Sequence, residues 1–416
     1  MAASLTAADV AEAAVRLSGI VRPTALEPSD RLSAELGVPV LLKREDLQLC
    51  RSYKVRGAYN AIVALSEEQR ALGVVCASAG NHAQGVAFAC AALEIKGRVF
   101  LPASTPRQKR QRIAAIGGSW VEQVIIGSTY DDAGAAAAAE ARQTGAVLIH
   151  PFDDLRTIAG QGSVAVELAE QHSAAIDTVV IPVGGGGLIA GMALWLREHL
   201  PQTRLVGAEP AGAASMTAAL AAGAPVTLAE LDTFVDGAAV REVGARTFAI
   251  VRELVDEIVT VPEGAVCTEM LELYQAEGII AEPAGALASA AARHYLGRKP
   301  TGPVVCVVSG GNNDVSRYGE IVERSLLHEG IRHYFLVTFP QEPGALRYFL
   351  DVVLSQGEDI VVFEYVKKNN RETGPALVGI ELDNAADLPS LLERMAASPL
   401  TIEQVPPGSP LFTFLL

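Results

Sequence analysis

The chain has few cysteines, and none of its five forms a Cys-x-x-Cys pair. Cys50, Cys76, Cys90, Cys267 and Cys306 are scattered, several of them in apolar runs such as Val-Val-Cys-Val-Val. That pattern predicts reduced core residues of a cytosolic protein, not a disulfide framework. Its seven histidines include no His-Glu-x-x-His and no cluster with cysteine at ligand spacing, so the sequence predicts no transition-metal site. No segment approaches the roughly 20 apolar residues of a membrane span. The first thirty residues carry Asp9, Glu12, Glu27 and Asp30 and lack an apolar run with a cleavage site, so no secretory or transit segment is expected. Basic residues are also scarce, 33 Lys and Arg against 48 Asp and Glu, for a net charge of -15. Such a surface repels nucleic-acid backbones and anionic lipid.

Half of the 416 residues are hydrophobic and 19% are charged, which fits a compact enzyme of two or three units with subunit contacts. From about Pro39 to Asn313, short β-branched runs alternate with Ala- and Leu-rich stretches. The runs are Val38–Lys43, Gly73–Ser78, Gly97–Pro102, Thr178–Val183, Arg204–Glu209 and Val304–Ser309. Strands alternating with helices predict parallel sheets covered on both faces, with ligands outside the carboxyl ends of the strands. The alanine run from Ala135 to Ala139 reads as helix, since alanine is the best helix former. A second domain is expected to begin near Ile331. There the order strand, helix opened by Pro343-Gly344, strand, strand, helix, strand is βαββαβ, a ferredoxin-like arrangement with no obvious catalytic constellation.

The chemistry is expected in the first region. Lys54, in Ser-Tyr-Lys-Val-Arg-Gly, stands just before a helix-patterned stretch, where the positive end of the helix dipole and partial burial both lower an ammonium pKa. Such a lysine can form an imine with an aldehyde cofactor, which points to pyridoxal phosphate. Three loops at strand ends could surround it. Ser78, Ala79, Gly80, Asn81 and His82 open one helix, whose free N–H groups suit a substrate carboxylate, with Asn81 able to donate to the cofactor hydroxyl. Capping by Ser78 or Asn81 is the plainer alternative, and His82 reads as a structural helix-start residue. Gly184, Gly185, Gly186 and Gly187 precede another helix, where successive amides can turn around a phosphate. Ser309 would meet the pyridine nitrogen. Glu282 could orient the cofactor ring edge or the substrate, or cap a helix. The charged run Lys43 to Asp46 reads as solvated or structurally paired.

A rival reading uses the same glycines. Gly185 through Gly187 to Ala190 matches a dinucleotide fingerprint, with Glu209 about 20 residues on as the ribose-binding acid of a nicotinamide-dependent oxidoreductase.

Taken together, Leu42–Gln48, Ser52–Ala58, Ser78–Gly85, Gly184–Leu188, Glu282–Ala286 and Ser309–Asn312 resemble the signatures of the threonine dehydratase (threonine ammonia-lyase) family of fold-type II pyridoxal phosphate enzymes. The resemblance covers nearly the whole chain and departs at Tyr53, where phenylalanine is usual. It implies a tryptophan synthase β-like α/β fold of two parallel-sheet subdomains over residues 1–325, followed by an ACT-like regulatory domain over 330–416. The latter is carried by Pro343–Leu346 and by the segment from Phe363. It further implies Lys54 as the imine-forming lysine, Asn81 on the cofactor hydroxyl, Gly184 to Leu188 around the phosphate, Ser309 on the pyridine nitrogen and Ser78 to His82 on the substrate carboxylate. The expected reaction is deamination of L-threonine to 2-oxobutanoate and ammonia, at the head of isoleucine synthesis. L-Serine dehydratase and serine racemase are the nearest alternatives. A cytoplasmic homodimer or homotetramer with an isoleucine or valine effector at the C-terminal domain completes the expectation.

Overall fold

Val304–Val308 is a strand in which all five residues are buried, and its neighbour Thr178–Pro182 is buried throughout as well. Apolar runs without alternation belong in the middle of a parallel sheet covered on both faces. In the computed structural model, which describes residues 5–365, 373–406, 409 and 411, both strands lie in the first of two compact units, Met1–Asp314.

That unit holds two sheets. Its strands are β1 (Leu26–Pro28), β2 (Val40–Arg44), β3 (Val74–Ala77), β4 (Gly97–Leu101), β5 (Val121–Ile125), β6 (Val147–Leu148), β7 (Thr178–Pro182), β8 (Arg204–Pro210), β9 (Glu257–Val261) and β10 (Val304–Val308). The larger sheet runs β1-β2-β10-β7-β8-β9 and the smaller β5-β4-β3-β6. Every pairing is parallel except β1 with β2, so the larger sheet is mixed rather than wholly parallel as expected. The β-branched runs predict β2, β3, β4, β7, β8 and β10. The strands without such a signal, β1, β5, β6 and β9, are the four sheet edges. An edge has one free side, so the sequence there need not be continuously apolar.

The helix Leu155–Gln171 wedges the functional helices together. A side chain at Gly160 would stand 2.6 Å from Arg56 O, and one at Gly162 would stand 2.6 Å from Gly191 O. The glycines let this helix lie against both Lys54–Val63 and Gly187–His199. Beneath the Lys54 helix is a buried ionic cluster. The Arg56 guanidinium donates to both Glu45 oxygens at 2.8 and 2.7 Å and to Glu167 at 2.9 Å, and Lys43 Nζ meets Glu167 at 2.5 Å. The run from Lys43 to Asp46 is therefore paired and buried, not solvated.

The second unit, Val315–Leu416, contains β11 (Arg332–Pro340), β12 (Glu358–Tyr365), β13 (Thr373–Leu382) and β14 (Thr401–Gln404). Its antiparallel order β12-β13-β11-β14 is that of a ferredoxin-like sheet. Phe335, Phe349, Val378 and Leu391 centre its core. The helix after Pro343-Gly344 continues from Ala345–Tyr348 into a π turn, Phe349–Val353. Residues 366–372 of the signature that starts at Phe363 lie outside the described residues. Among the described residues no helix is long and apolar enough to cross a membrane.

Candidate active site

Lys54 is the first residue of its helix rather than the residue before it. Its Nζ donates to Pro151 O at 2.9 Å. Burial drives the Lys54 pKa down to about 8, against the opposing pull of the Glu282 carboxylate. A carbonyl oxygen leaves the ammonium with no counter-ion of its own, so the neutral amine becomes accessible near physiological pH.

The loop after β3 starts the helix Asn81–Leu93. Gly80 is its N-cap and no side chain caps it, so neither Ser78 nor Asn81 plays that part; Ser78 Oγ accepts instead from Gly80 N at 3.2 Å. The N–H groups of Asn81 and His82 donate to no protein acceptor among the described residues. They form an open anion site at a helix start. His82 is buried, its Nε2 donates to Ile149 O at 2.8 Å, and burial with the nearby Lys54 charge lowers its pKa to about 3. Its imidazole is a neutral packing group.

The loop after β7 faces the same space. The N–H groups of Gly185, Gly186, Gly187 and Leu188 donate to no protein acceptor among the described residues. Behind them the glycines are tightly backed. A side chain at Gly184 would stand 2.9 Å from the Ala238 backbone, one at Gly185 would overlap the Phe152 ring, and Gly186 adopts φ 86°. One face of the loop is packed and the other offers donors, which is the arrangement a phosphate requires. The residues fit pyridoxal phosphate on this ground.

β10 pairs with β7, so the third loop lies beside the second. Ser309 is buried and its Oγ donates to Ala284 O at 3.2 Å. Glu282 is the N-cap residue of Pro283–His294, yet its side chain makes no cap bond. It accepts from Asn81 Nδ2 at 2.6 Å, and Asn81 Oδ1 in turn accepts from Asn312 Nδ2 at 2.7 Å. Burial and the Asp236 charge push the Glu282 carboxyl up to about 7.

The fold thus gathers Lys54, Asn81, Glu282, Ser309 and the glycine loop in one unit. Sequence reading missed Pro151, Phe152 and Gln161. Gln161 Nε2 donates to the same Pro151 carbonyl as Lys54, at 3.1 Å, and its Oε1 is buried without a partner. A backbone carbonyl leaves no sequence signal. Two glycines inside an otherwise helical stretch, Gly160 and Gly162, do leave one: they flag a close helix contact around Gln161. Glu209, the ribose acid of the rival reading, is buried and accepts from Met216 N, Thr217 N and Thr217 Oγ1 at 2.7 to 2.8 Å. It anchors the next helix, and its burial shuts it off from a ribose.

The chain resembles known proteins along nearly its whole length. The family described as "Pyridoxal-phosphate dependent enzyme" matches residues 17–310, and "C-terminal regulatory domain of Threonine dehydratase" matches residues 323–415. The chain is 60% identical to the biosynthetic L-threonine dehydratase IlvA of Mycobacterium tuberculosis over 415 residues, covering 99% of this chain and 96% of that protein. It is 49% identical to the Bacillus subtilis protein of the same name over 397 residues, covering 95% and 94%. Among solved structures, the processed form of threonine deaminase isoform 2 from Solanum lycopersicum superposes with a TM-score of 0.72 at 38% identity, covering 77% of this chain and 93% of that one. Maize serine racemase gives 0.71 at 32% identity, covering 78% and 99%.

Proposed function

The chain belongs to the pyridoxal-phosphate dependent enzymes and, among them, to the biosynthetic L-threonine dehydratases; from that premise we propose how its own residues turn L-threonine into 2-oxobutanoate and ammonia. When bound, the cofactor supplies an aldehyde for the substrate amine and an electron-withdrawing ring that makes the threonine Cα–H acidic. In the loop Gly184 to Leu188 the open N–H groups of Gly185 to Leu188 would hold its phosphate, Asn81 would use its second amide hydrogen on the cofactor hydroxyl, and Ser309 would turn its hydroxyl from Ala284 O to the pyridine nitrogen. Glu282 fixes the direction of Asn81. The open N–H groups of Asn81 and His82, at the end of the loop Ser78 to His82, hold the threonine carboxylate and so orient the Cα–H. Lys54 Nζ, with its pKa near 8, takes that proton. Loss of the β-hydroxyl as water and hydrolysis of the unsaturated amine complete the reaction.

The observation that carries this reading is the lysine itself: an amine without a counter-ion at a helix start, beside two loops of unused N–H donors. Purified protein should show an absorbance band with pyridoxal phosphate and release 2-oxobutanoate on addition of L-threonine; a band with product only from L-serine would overturn the substrate assignment. Some activity on L-serine is expected, since one methyl group is worth only about 1 to 3 kcal/mol. Lys54→Ala should abolish turnover, and near-normal turnover by that variant would reject the role of Lys54.

The second unit has a cleft of about 810 Å³ whose lining includes Phe339, Phe363 and Tyr365 together with Arg347, Glu342 and Asp351. Aromatic walls suit a branched aliphatic side chain, and the charges suit an amino acid's carboxylate and ammonium. Isoleucine, with valine as its competitor, is the effector we assign to this cleft. Its action on threonine turnover requires different affinities in two states of the enzyme. Isothermal calorimetry with isoleucine tests the assignment; no heat and no change in threonine response would end it. A homodimer or homotetramer in the cytoplasm is the setting this reading entails.

A further inference from the structure

Residues 223–244 join the helices Ser215–Ala222 and Ala245–Leu254 without any helix or strand of their own. Loops beyond roughly 12–15 residues are uncommon in compact domains and usually functional. This one is not loosely draped: Phe234, Val235, Ala238 and Val243 are buried. Ala238 N and Ala239 N both donate to Val235 O, at 2.9 and 2.8 Å, closing a turn with Asp236 and Gly237 at its tip. The tip reaches the site. A side chain at Gly237 would stand 2.8 Å from Ala284 Cβ and 3.5 Å from Glu282 Oε1, and Ala238 backs Gly184 of the glycine loop.

Asp236 also reaches across to the layer of the smaller sheet. Its Oδ2 meets Lys109 Nζ at 2.7 Å, with the two side chains 43% and 26% exposed. Lys109 belongs to the helix Arg107–Gly117, which is itself fastened to the Asn81 helix where Arg112 Nε donates to Gln84 Oε1 at 2.9 Å. The pair therefore closes a ring: Asn81 helix, Lys109 helix, loop tip, Glu282, and back to Asn81 through the 2.6 Å hydrogen bond.

We propose that Lys109 and Asp236 are positioning residues whose ion pair latches the loop 223–244 over the cofactor site and holds Glu282 against Asn81. The proposal rests on the cofactor-site reading above. The latch is also electrostatic. Four groups act on or respond to the Glu282 charge: Asp236 raises its pKa, Lys109 lowers it, and Lys54 and Tyr53 both feel it. Removing the Lys109 charge should thus move the Glu282 titration upward, and removing the Asp236 charge should move it downward. A pair remote from Glu282 would not split the two variants by sign.

The test uses the full chain with and without pyridoxal phosphate, as Lys109→Met, Asp236→Asn and the reversed pair Lys109→Asp/Asp236→Lys. Hydrogen exchange over 223–244 should quicken about two- to fivefold in each single variant, the range for a half-exposed ion pair, and return toward wild type in the reversed pair. With cofactor bound, the pH midpoint of its absorbance should rise in Lys109→Met and fall in Asp236→Asn by roughly half a unit. Unchanged exchange in both single variants, failure of the reversed pair to restore it, or midpoints moving the same way would overturn the latch. None of these readouts is turnover, so a wild type that releases no 2-oxobutanoate would sink the functional reading separately.

Discussion

Asn81 and Glu282, 201 residues apart in the chain, share a 2.6 Å hydrogen bond in which the Asn81 amide donates to the Glu282 carboxylate. On its other side the Asn81 oxygen accepts from Asn312 at 2.7 Å. An amide held at both ends has one orientation, with one N–H left for a ligand. Asn312→Ala should release that orientation and weaken pyridoxal phosphate binding by about fivefold to tenfold, the value of one hydrogen bond. Fluorescence titration of the cofactor checks this.

Glu282 makes a second, thermodynamic prediction. Burial, with the Asp236 charge, pushes its carboxyl up to about 7 in the fold, above the ordinary 4.5. The folded pKa is the higher one, so the fold binds the proton more tightly and stability falls as pH rises from about 4.5 to about 7. Glu282→Gln should lose that fall, and the stability difference from wild type should change by at most about 3 kcal/mol across the window. Urea denaturation of the cofactor-free proteins at pH 4 and pH 8 measures it. An identical pH response in the two proteins would contradict the assignment.

Cofactor capture needs the neutral Lys54 amine. With its pKa near 8, about a tenth of the amine is neutral at pH 7 and half at pH 8, so the association rate should rise about fivefold between them and flatten above pH 9. Stopped-flow absorbance would show the rise. A plateau reached only near pH 11 would mean an ordinary surface lysine.

Arg56 is 1% exposed and Glu45 0%, and each is the other's main partner. Arg56→Met leaves Glu45 buried without a bidentate partner and should cost about 3 to 5 kcal/mol in chemical denaturation. Arg56→Lys should recover only part of this, because an ammonium cannot reproduce the planar fork.

At Gly185 the obstacle to a side chain is a single ring, that of Phe152. Gly185→Ala should fold but lose cofactor affinity more than about tenfold, since the loop or the ring must shift by about an ångström to relieve the overlap. Adding Phe152→Ala removes the ring and should restore much of the affinity. If it does not, the loop is constrained by something other than that contact.

The sequence displayed the centre of each sheet and hid its borders. β7 and β10 are covered on both faces and so are continuously apolar, whereas β5, with exposed residues at Glu122 and Ile125, has the mixed composition of a helix or a turn. The loops Ser78–His82 and Gly184–Leu188 were readable because open N–H donors at a helix start demand small residues. Pro151, whose backbone oxygen holds Lys54, was not, because any residue type supplies a carbonyl. Asp236 was hidden for another reason. A carboxylate in a long loop looks like a solvated one until the fold brings Lys109 to it.

The cluster under the Lys54 helix has a further consequence, and it concerns temperature. Hydration of charged groups becomes less favourable on heating, so keeping Arg56, Glu45, Lys43 and Glu167 out of water carries a smaller penalty in a warm protein than in a cold one. Hydrophobic burial around them follows a different curve and weakens on cooling. The desolvation cost beneath the reactive lysine is therefore lowest at the warm end of the working range, where the ion cluster offsets part of what conformational entropy takes away.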